Sequence, residues 1–214
     1  MTRRLRPLAL EHLDALPVAC VGCSFWETGA RQERQCGSVC DPAALREWYL
    51  RVTDEWGDCG RVACDDDEVL GFIKYAPSRY IPQAATFPSR PYDGDVALIT
   101  CLHISDDARQ HGLGRLLVQS ALKDLKSRGE RTVQSFACAR DEDLTRMPMI
   151  GMKYLLDNGF AVARSDPAFP LMQLDLRSLA SVAENLEAVL ESLRFPLRAP
   201  SRIPGPTAGA RCDG

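Results

Sequence analysis

No apolar run in the 214 residues approaches the roughly 18 needed to cross a bilayer as a helix, which argues against an integral membrane protein. The Arg-rich start is followed by no hydrophobic signal core, so export is not expected and the chain reads as cytoplasmic. Positive charge is not in excess. Lys and Arg number 26 against 29 Asp and Glu, for a net charge of −3 and a pI near 5.7, which gives no electrostatic case for nucleic acid or an anionic membrane surface. Two common phosphate loops are missing: there is no G-x-x-x-x-G-K-S/T, and no G-x-G-x-x-G directly after a strand. Internal repeats are absent too. Cysteine, by contrast, is plentiful: nine without a signal peptide imply a reducing compartment and mostly free thiols. The length suits one core of roughly 150–180 residues with appendages.

The chain is organised around residues 96–127. Val96-Ala-Leu-Ile-Thr-Cys-Leu-His-Ile104 is apolar on both alternating faces, as in a strand covered on both sides. Ser105-Asp106-Asp107 breaks that pattern. From Leu113, apolar residues recur at Leu116, Leu117, Ala121, Leu122 and Leu125, one face of a helix. Lys123, Lys126 and Arg128 suit the negative end of its dipole, and Gly129 stops it. At the junction lies Arg109-Gln110-His111-Gly112-Leu113-Gly114-Arg115. The first amides of a helix have no intrahelical acceptor, and the dipole makes that end mildly positive. Gly112 and Gly114 let a phosphate approach the backbone without meeting a β-carbon. Arg109 adds a guanidinium fork suited to phosphate oxygens. The stretch reads as an anion cradle fed by a strand.

Around this unit the order is regular. Arg3–Leu8 reads as a first strand, confined by Pro7 to an edge or an end, and Leu10–Leu16 as a short helix. Asp41-Pro42 opens a second helix with an N-cap and a proline at its first position, with Leu45, Trp48, Tyr49, Val52 and Trp56 on one stripe. Arg61–Cys64 and Val69–Tyr75 flank the turn Asp65-Asp66-Asp67 as a hairpin. Residues 76–95 form a long connection rich in proline and aromatics, either a solvated excursion or a pocket wall. Thr132–Cys138 reads as a parallel strand, Met149–Asn158 as a helix capped by Gly159, and Phe169–Leu176 as a last strand.

Arg109-x-x-Gly112-x-Gly114, preceded by Leu102-His103-Ile104-Ser105-Asp106, resembles the acetyl-CoA pyrophosphate loop of the GNAT N-acetyltransferase superfamily, whose pattern is Gln/Arg-x-x-Gly-x-Gly/Ala after an aliphatic-x-aliphatic strand end. Met152-Lys-Tyr-Leu-Leu-Asp-Asn-Gly-Phe160 resembles that family's second signature, and the likeness spans about residues 3–176. The resemblance implies an α/β fold, a mixed sheet with a central splayed parallel strand pair flanked by helices. It implies acetyl-CoA as cofactor and a small-molecule or peptide amine as acceptor, attacked directly in a ternary complex. It places the pantetheine arm on the backbone of Leu102, His103 and Ile104. It places the phosphates on Arg109, Gln110, His111, Gly112, Leu113, Gly114 and Arg115. It also makes the 76–95 loop a border of the substrate cleft.

The resemblance stops at acid and base. The tyrosine that often protonates the departing thiolate falls at Leu155, one residue from Tyr154, and one residue turns a helical side chain by about 100°. No carboxylate lies within the central strand. Asp95 precedes it, and His103, which alternates with Ile99 and Cys101, reads as a packed residue. Acid and base are therefore unassigned, and a catalytically silent acyl-CoA-binding module is the alternative reading. Cys20-x-x-Cys23 and Cys36-x-x-x-Cys40 fit a zinc knuckle with four cysteine ligands, or else four reduced thiols. No metal is assigned. Phe25 and Trp26 are expected to pack under the second helix. The domain is expected at 1–177, an amphipathic helix at 178–194, and a disordered tail at 195–214. That helix packs back on the domain or meets a partner chain, which leaves a homodimer open.

Overall fold

The computed structural model describes residues 3–16, 20–29, 41–66, 68–91, 95–109, 112–140 and 147–178. Gln110, His111, Cys36, Cys40, most of the expected 178–194 helix and the 195–214 tail lie outside the described residues. The strands are β1 (Arg3–Pro7), β2 (Gly60–Asp65), β3 (Glu68–Pro77), β4 (Ala97–Ile104), β5 (Thr132–Cys138), β6 (Ile150–Gly151), β7 (Ala161–Arg164) and β8 (Leu171–Asp175). The helices are α1 (Phe25–Thr28), α2 (Pro42–Glu55), α3 (Leu113–Ser127) and α4 (Met152–Asp157). All eight strands join one mixed sheet in the order β1-β2-β3-β4-β5-β8-β7, with β6 on β5. Only β4–β5 and β5–β6 are parallel.

Helix α2 starts as its sequence dictates: Asp41 Oδ1 accepts the Ala44 amide at 2.9 Å, with Pro42 in the first turn. Leu45, Trp48 and Val52 press it, together with Phe25 and Trp26 of α1, onto one face of the sheet against Phe72, Leu98 and Phe136. Helix α3 buries Leu116, Leu117, Ala121, Leu122 and Leu125 on the other face, over Ile73, Tyr75, Ile99 and Val133. Asp124 of α3 accepts from Tyr75, Arg61 and Arg128, which ties α3 to β2 and β3 by charge as well as by apolar area. The sheet is thus covered on both sides, as the doubly apolar central strand requires.

Three elements differ from the sequence reading. The helix expected from Met149 begins at Met152, because Ile150–Gly151 pair in parallel with Ala137–Cys138 and hold the chain extended. Residues 76–91 are no solvated excursion: two 3-10 turns, Ser78–Tyr80 and Pro82–Thr86, bury Tyr80, Ile81, Gln83, Ala84 and Phe87. Strand β7 carries three exposed residues of four and so shows no alternation by which to recognise it.

Candidate active site

Strands β4 and β5 pair only where Ala97–Ile99 meet Val133–Ser135; beyond that point they part. Next to the parting, β4 carries a bulge. Lys74 of β3 opposes Cys101 while Tyr75 opposes Ile99, so Thr100 is an extra residue whose hydroxyl reaches the Lys74 carbonyl at 3.3 Å. The bulge reverses the face of everything after it. His103 therefore does not alternate with Ile99 as expected; it stacks on Phe72, ring centroids 6.0 Å apart, on the α2 face. Ser105 donates its amide to the Leu70 carbonyl, and strand alternation turns the backbone of His103 to β3 as well. Leu102 and Ile104 then present their backbone groups to the opening, where the Ile104 carbonyl accepts from Arg109 Nε at 3.3 Å.

The far wall of the opening is not β5 alone. The β8 side of β5 is occupied up to Ala139 by bonds from Ala137 to the Pro170 carbonyl and from Ala139 to the Ala168 carbonyl. Ile150–Gly151 must therefore join on the β4 side. Pro148, just before them, accepts the Trp26 indole N–H at 2.9 Å and lies 3.9 Å from Cys101 Sγ.

At the end of β4 the chain runs through Asp106–Ala108 into α3. Gly112 is the N-cap with φ +74°, open space where a β-carbon would stand, and no side chain capping the helix. The first helical bond there is Leu116 N–H to the Gly112 carbonyl. The leading amides of Leu113, Gly114 and Arg115 thus point out of the helix end. Gly114 is glycine for another reason as well: a β-carbon there would lie 2.8 Å from the Tyr154 hydroxyl. Arg109 leans back over β4 and pairs with Asp106 at 3.1 Å, an exposed contact that an anion can displace.

The opposite face carries charge that no motif announced. Lys74, inside an apolar strand, bonds Glu27 of α1 at 2.5 Å, with side chains only 4% and 1% exposed. Burial alone would lower the Lys74 pKa, but the Glu27 carboxylate overrides it and raises it, holding the ammonium protonated. Glu27 Oε2, Ser24 Oγ and both ends of the Gln83 amide are buried without a hydrogen-bond partner among the described residues. Burial pushes the nearby thiols up, Cys20 to about 11 and Cys59 to about 12, so they stay protonated at neutral pH. Among the described residues no group of three or more His, Cys, Asp or Glu is placed to hold a metal. One sequence signal did exist for this site: a lysine within Val69-Leu-Gly-Phe-Ile-Lys-Tyr-Ala76 demands a buried partner.

The acid and base candidates separate clearly. Leu155 is fully buried under the sheet. Tyr154 instead turns its hydroxyl to the start of α3, where burial pushes its pKa up to about 12 and no partner among the described residues takes the proton. Asp95 is ion-paired with Arg79 ahead of β4. Burial, then repulsion from Arg109, lowers the His103 pKa.

A mixed sheet that parts between two parallel strands, with helices on both faces, is the acetyltransferase fold of GNAT type. The acetyltransferase (GNAT) family model matches residues 21–148, and the chain belongs to that family, whose cosubstrate is acetyl-CoA. Its fold is similar to that of an N-acetyltransferase from Staphylococcus aureus Mu50, at 17% identity over 82% of this chain and 99% of that one, with a TM-score of 0.55. It is also similar to PaiA N-acetyltransferase from Thermoplasma acidophilum in complex with coenzyme A, at 18% identity, the same coverage and a TM-score of 0.50. Naa20 from Chaetomium thermophilum, in complex with a bisubstrate analogue, is 18% identical over 81% of this chain and 87% of that one, with a TM-score of 0.50. No curated protein matches the sequence significantly. No helix among the described residues is long and apolar enough to cross a membrane.

Proposed function

We propose that this protein is an N-acetyltransferase that carries acetyl from acetyl-CoA to an amine by direct attack in a ternary complex. One observation carries the reading: the parting of β4 from β5 leads straight to the uncapped, glycine-bearing start of α3. An extended amide chain ending in phosphates fits that path. Leu102 and Ile104 would hold the pantetheine arm by their backbone. The amides of Leu113, Gly114 and Arg115, with Gln110, His111, Gly112 and the Arg109 guanidinium, would hold the phosphates. Because the His103 backbone faces β3, the expected three-residue arm contact narrows to two.

Bound acetyl-CoA supplies an activated thioester carbonyl. The protein's own part is to place an amine against it, which removes much of the entropic barrier. A β4 amide beside the opening would stabilise the oxyanion. The nitrogen lone pair forms the new C–N bond, the C–S pair leaves on sulfur, and the proton shed by nitrogen passes through solvent to the thiolate. No side-chain base is required. The test is calorimetric binding of CoA together with thiol release from acetyl-CoA against spermidine, lysine peptides, peptides with free N-termini and small alkylamines. Turnover with any of them supports transfer. Tight CoA binding without turnover on the whole panel favours the silent binding module, a reading consistent with Leu155 standing where the family's tyrosine would be.

A further inference from the structure

We propose that Glu27, braced by Lys74, receives the acceptor amine in its uncharged form and aims its nitrogen at the opening between β4 and β5; this rests on the acetyl-transfer reading above. Helix α1 straddles that opening. Trp26 stacks on Phe136 of β5, centroids 5.8 Å apart, and donates to Pro148 on the far wall. The next residue, Glu27, bonds Lys74, which sits opposite Cys101, the first β4 residue past the bulge. Glu27 therefore stands over the point where the strands part, on the sheet face opposite α3. An amine approaching from there meets the cleft from the side that the α3 N-terminus leaves free.

Buried polar atoms are almost always hydrogen-bonded, so a group of unpartnered ones asks for an occupant. Glu27 of α1, Ser24 at its N-cap and Gln83 of the Pro82–Thr86 turn each bury unpartnered polar atoms, and α1 packs against that turn. The Glu27 amide bonds the Ser24 carbonyl at 3.2 Å, which puts those two a turn apart. Three of the unpartnered oxygens accept hydrogen bonds, and an amine has N–H donors to give. Trp48 lies 5.7 Å from the Lys74 ammonium, and Trp26, Phe87 and Phe136 pack beside α1, so the surroundings are apolar.

Charge decides which form of the amine is received. Lys74 is held protonated, so the Lys74–Glu27 pair is already neutral. An ammonium would place a second positive charge where the two side chains are 4% and 1% exposed, and desolvation opposes that. An uncharged amine donates N–H to Oε2, keeps the pair balanced and leaves its lone pair free to attack. Glu27 thus touches the substrate, and Lys74 is a positioning residue that acts through Glu27.

The experiment uses the full chain, Glu27→Gln, and the double variant Glu27→Gln/Lys74→Met, which removes both charges together and so avoids stranding one. Thiol release from acetyl-CoA is followed at fixed pH with n-butylamine, 2-methoxyethylamine and 2,2-difluoroethylamine, alkylamines of falling basicity. In the wild type KM falls along that series as the uncharged fraction rises. Both variants raise KM for each amine about ten- to a hundredfold, the worth of a hydrogen bond to a charged group, with an unchanged Kd for CoA. Either variant, folded and with wild-type KM, overturns the proposal, as does a wild-type KM that falls with increasing ammonium fraction. If the wild type releases no thiol with any amine, it is transfer itself that fails. Quenching of tryptophan fluorescence by n-butylamine in the CoA-saturated protein then decides Glu27: quenching lost in the double variant upholds it, and no quenching in the wild type overturns it.

Discussion

Replacing Gly114 by alanine should destabilise the wild type yet stabilise the Tyr154→Phe background. Gly114 is helical, so alanine there fits the backbone, and the stiffer unfolded chain contributes about 0.4–1 kcal/mol of stability. Against this stands the 2.8 Å approach of the new β-carbon to the Tyr154 hydroxyl, an overpacking that costs about 1–3 kcal/mol. The net effect is a loss of about 1–2 kcal/mol, or a fall in Tm of about 2–4 °C per kcal/mol for a domain of this size. Tyr154→Phe removes the clashing atom; the next, the ring Cζ at 3.6 Å, is in ordinary contact, so alanine then adds its full gain. Tyr154→Phe alone should change stability by less than about 1 kcal/mol, because the hydroxyl it deletes is buried with only the Asn158 side chain to offset its desolvation. Urea unfolding of the four proteins, with m values compared, gives the coupling directly. A coupling of zero, with alanine acting alike in both backgrounds, would refute the placement of Tyr154 against the start of α3.

Gly112→Ala meets no neighbour, so its cost is backbone strain alone at φ +74°, about 1–2 kcal/mol, and Gly112→Asn should cost less in the same urea titration because asparagine tolerates that conformation. His103 has a folded pKa below its ordinary 6.5, so the unfolded chain binds the proton more readily; stability from this group is complete above 6.5 and is lost as pH falls. His103→Gln should therefore flatten the decline of Tm on acidification below that point. Trp26→Phe keeps an aromatic ring but removes the stronger of the two donors to the Pro148 carbonyl, leaving the Cys101 thiol; it should cost about 1 kcal/mol and speed amide exchange at Ile150 and Gly151.

Signals contained in a few consecutive residues are readable from sequence. The Asp41-Pro42 cap, the α3 stripe, the hairpin about Asp66 and the glycines at 112 and 114 each carry their local physics with them. What cannot be read depends on partners distant in sequence. The Thr100 bulge exists only against β3, and it moves His103 to the face opposite the one expected. The extended Ile150–Gly151 looks helical in isolation because nothing local announces β5 beside it. The aromatic 76–91 segment reads as loop by composition, yet it is packed because α1, from far earlier in the chain, lies against it. Phe25 and Trp26 are legible as core by their apolar bulk, while Glu27 beside them is not, since a charge becomes informative only once its burial is known.

The breadth of the cleft is governed by a stretch of chain that belongs to neither of the strands it separates. Ile150–Gly151 forms its far rim, anchored through Pro148 to the Trp26 indole and the Cys101 thiol. A shift of Ile150–Gly151 would move that rim while the sheet, the α3 amides and the buried ion pair stay as they are. On the acetyl-transfer reading, the size of acceptor admitted can thus change without altering the parts that would meet the thioester.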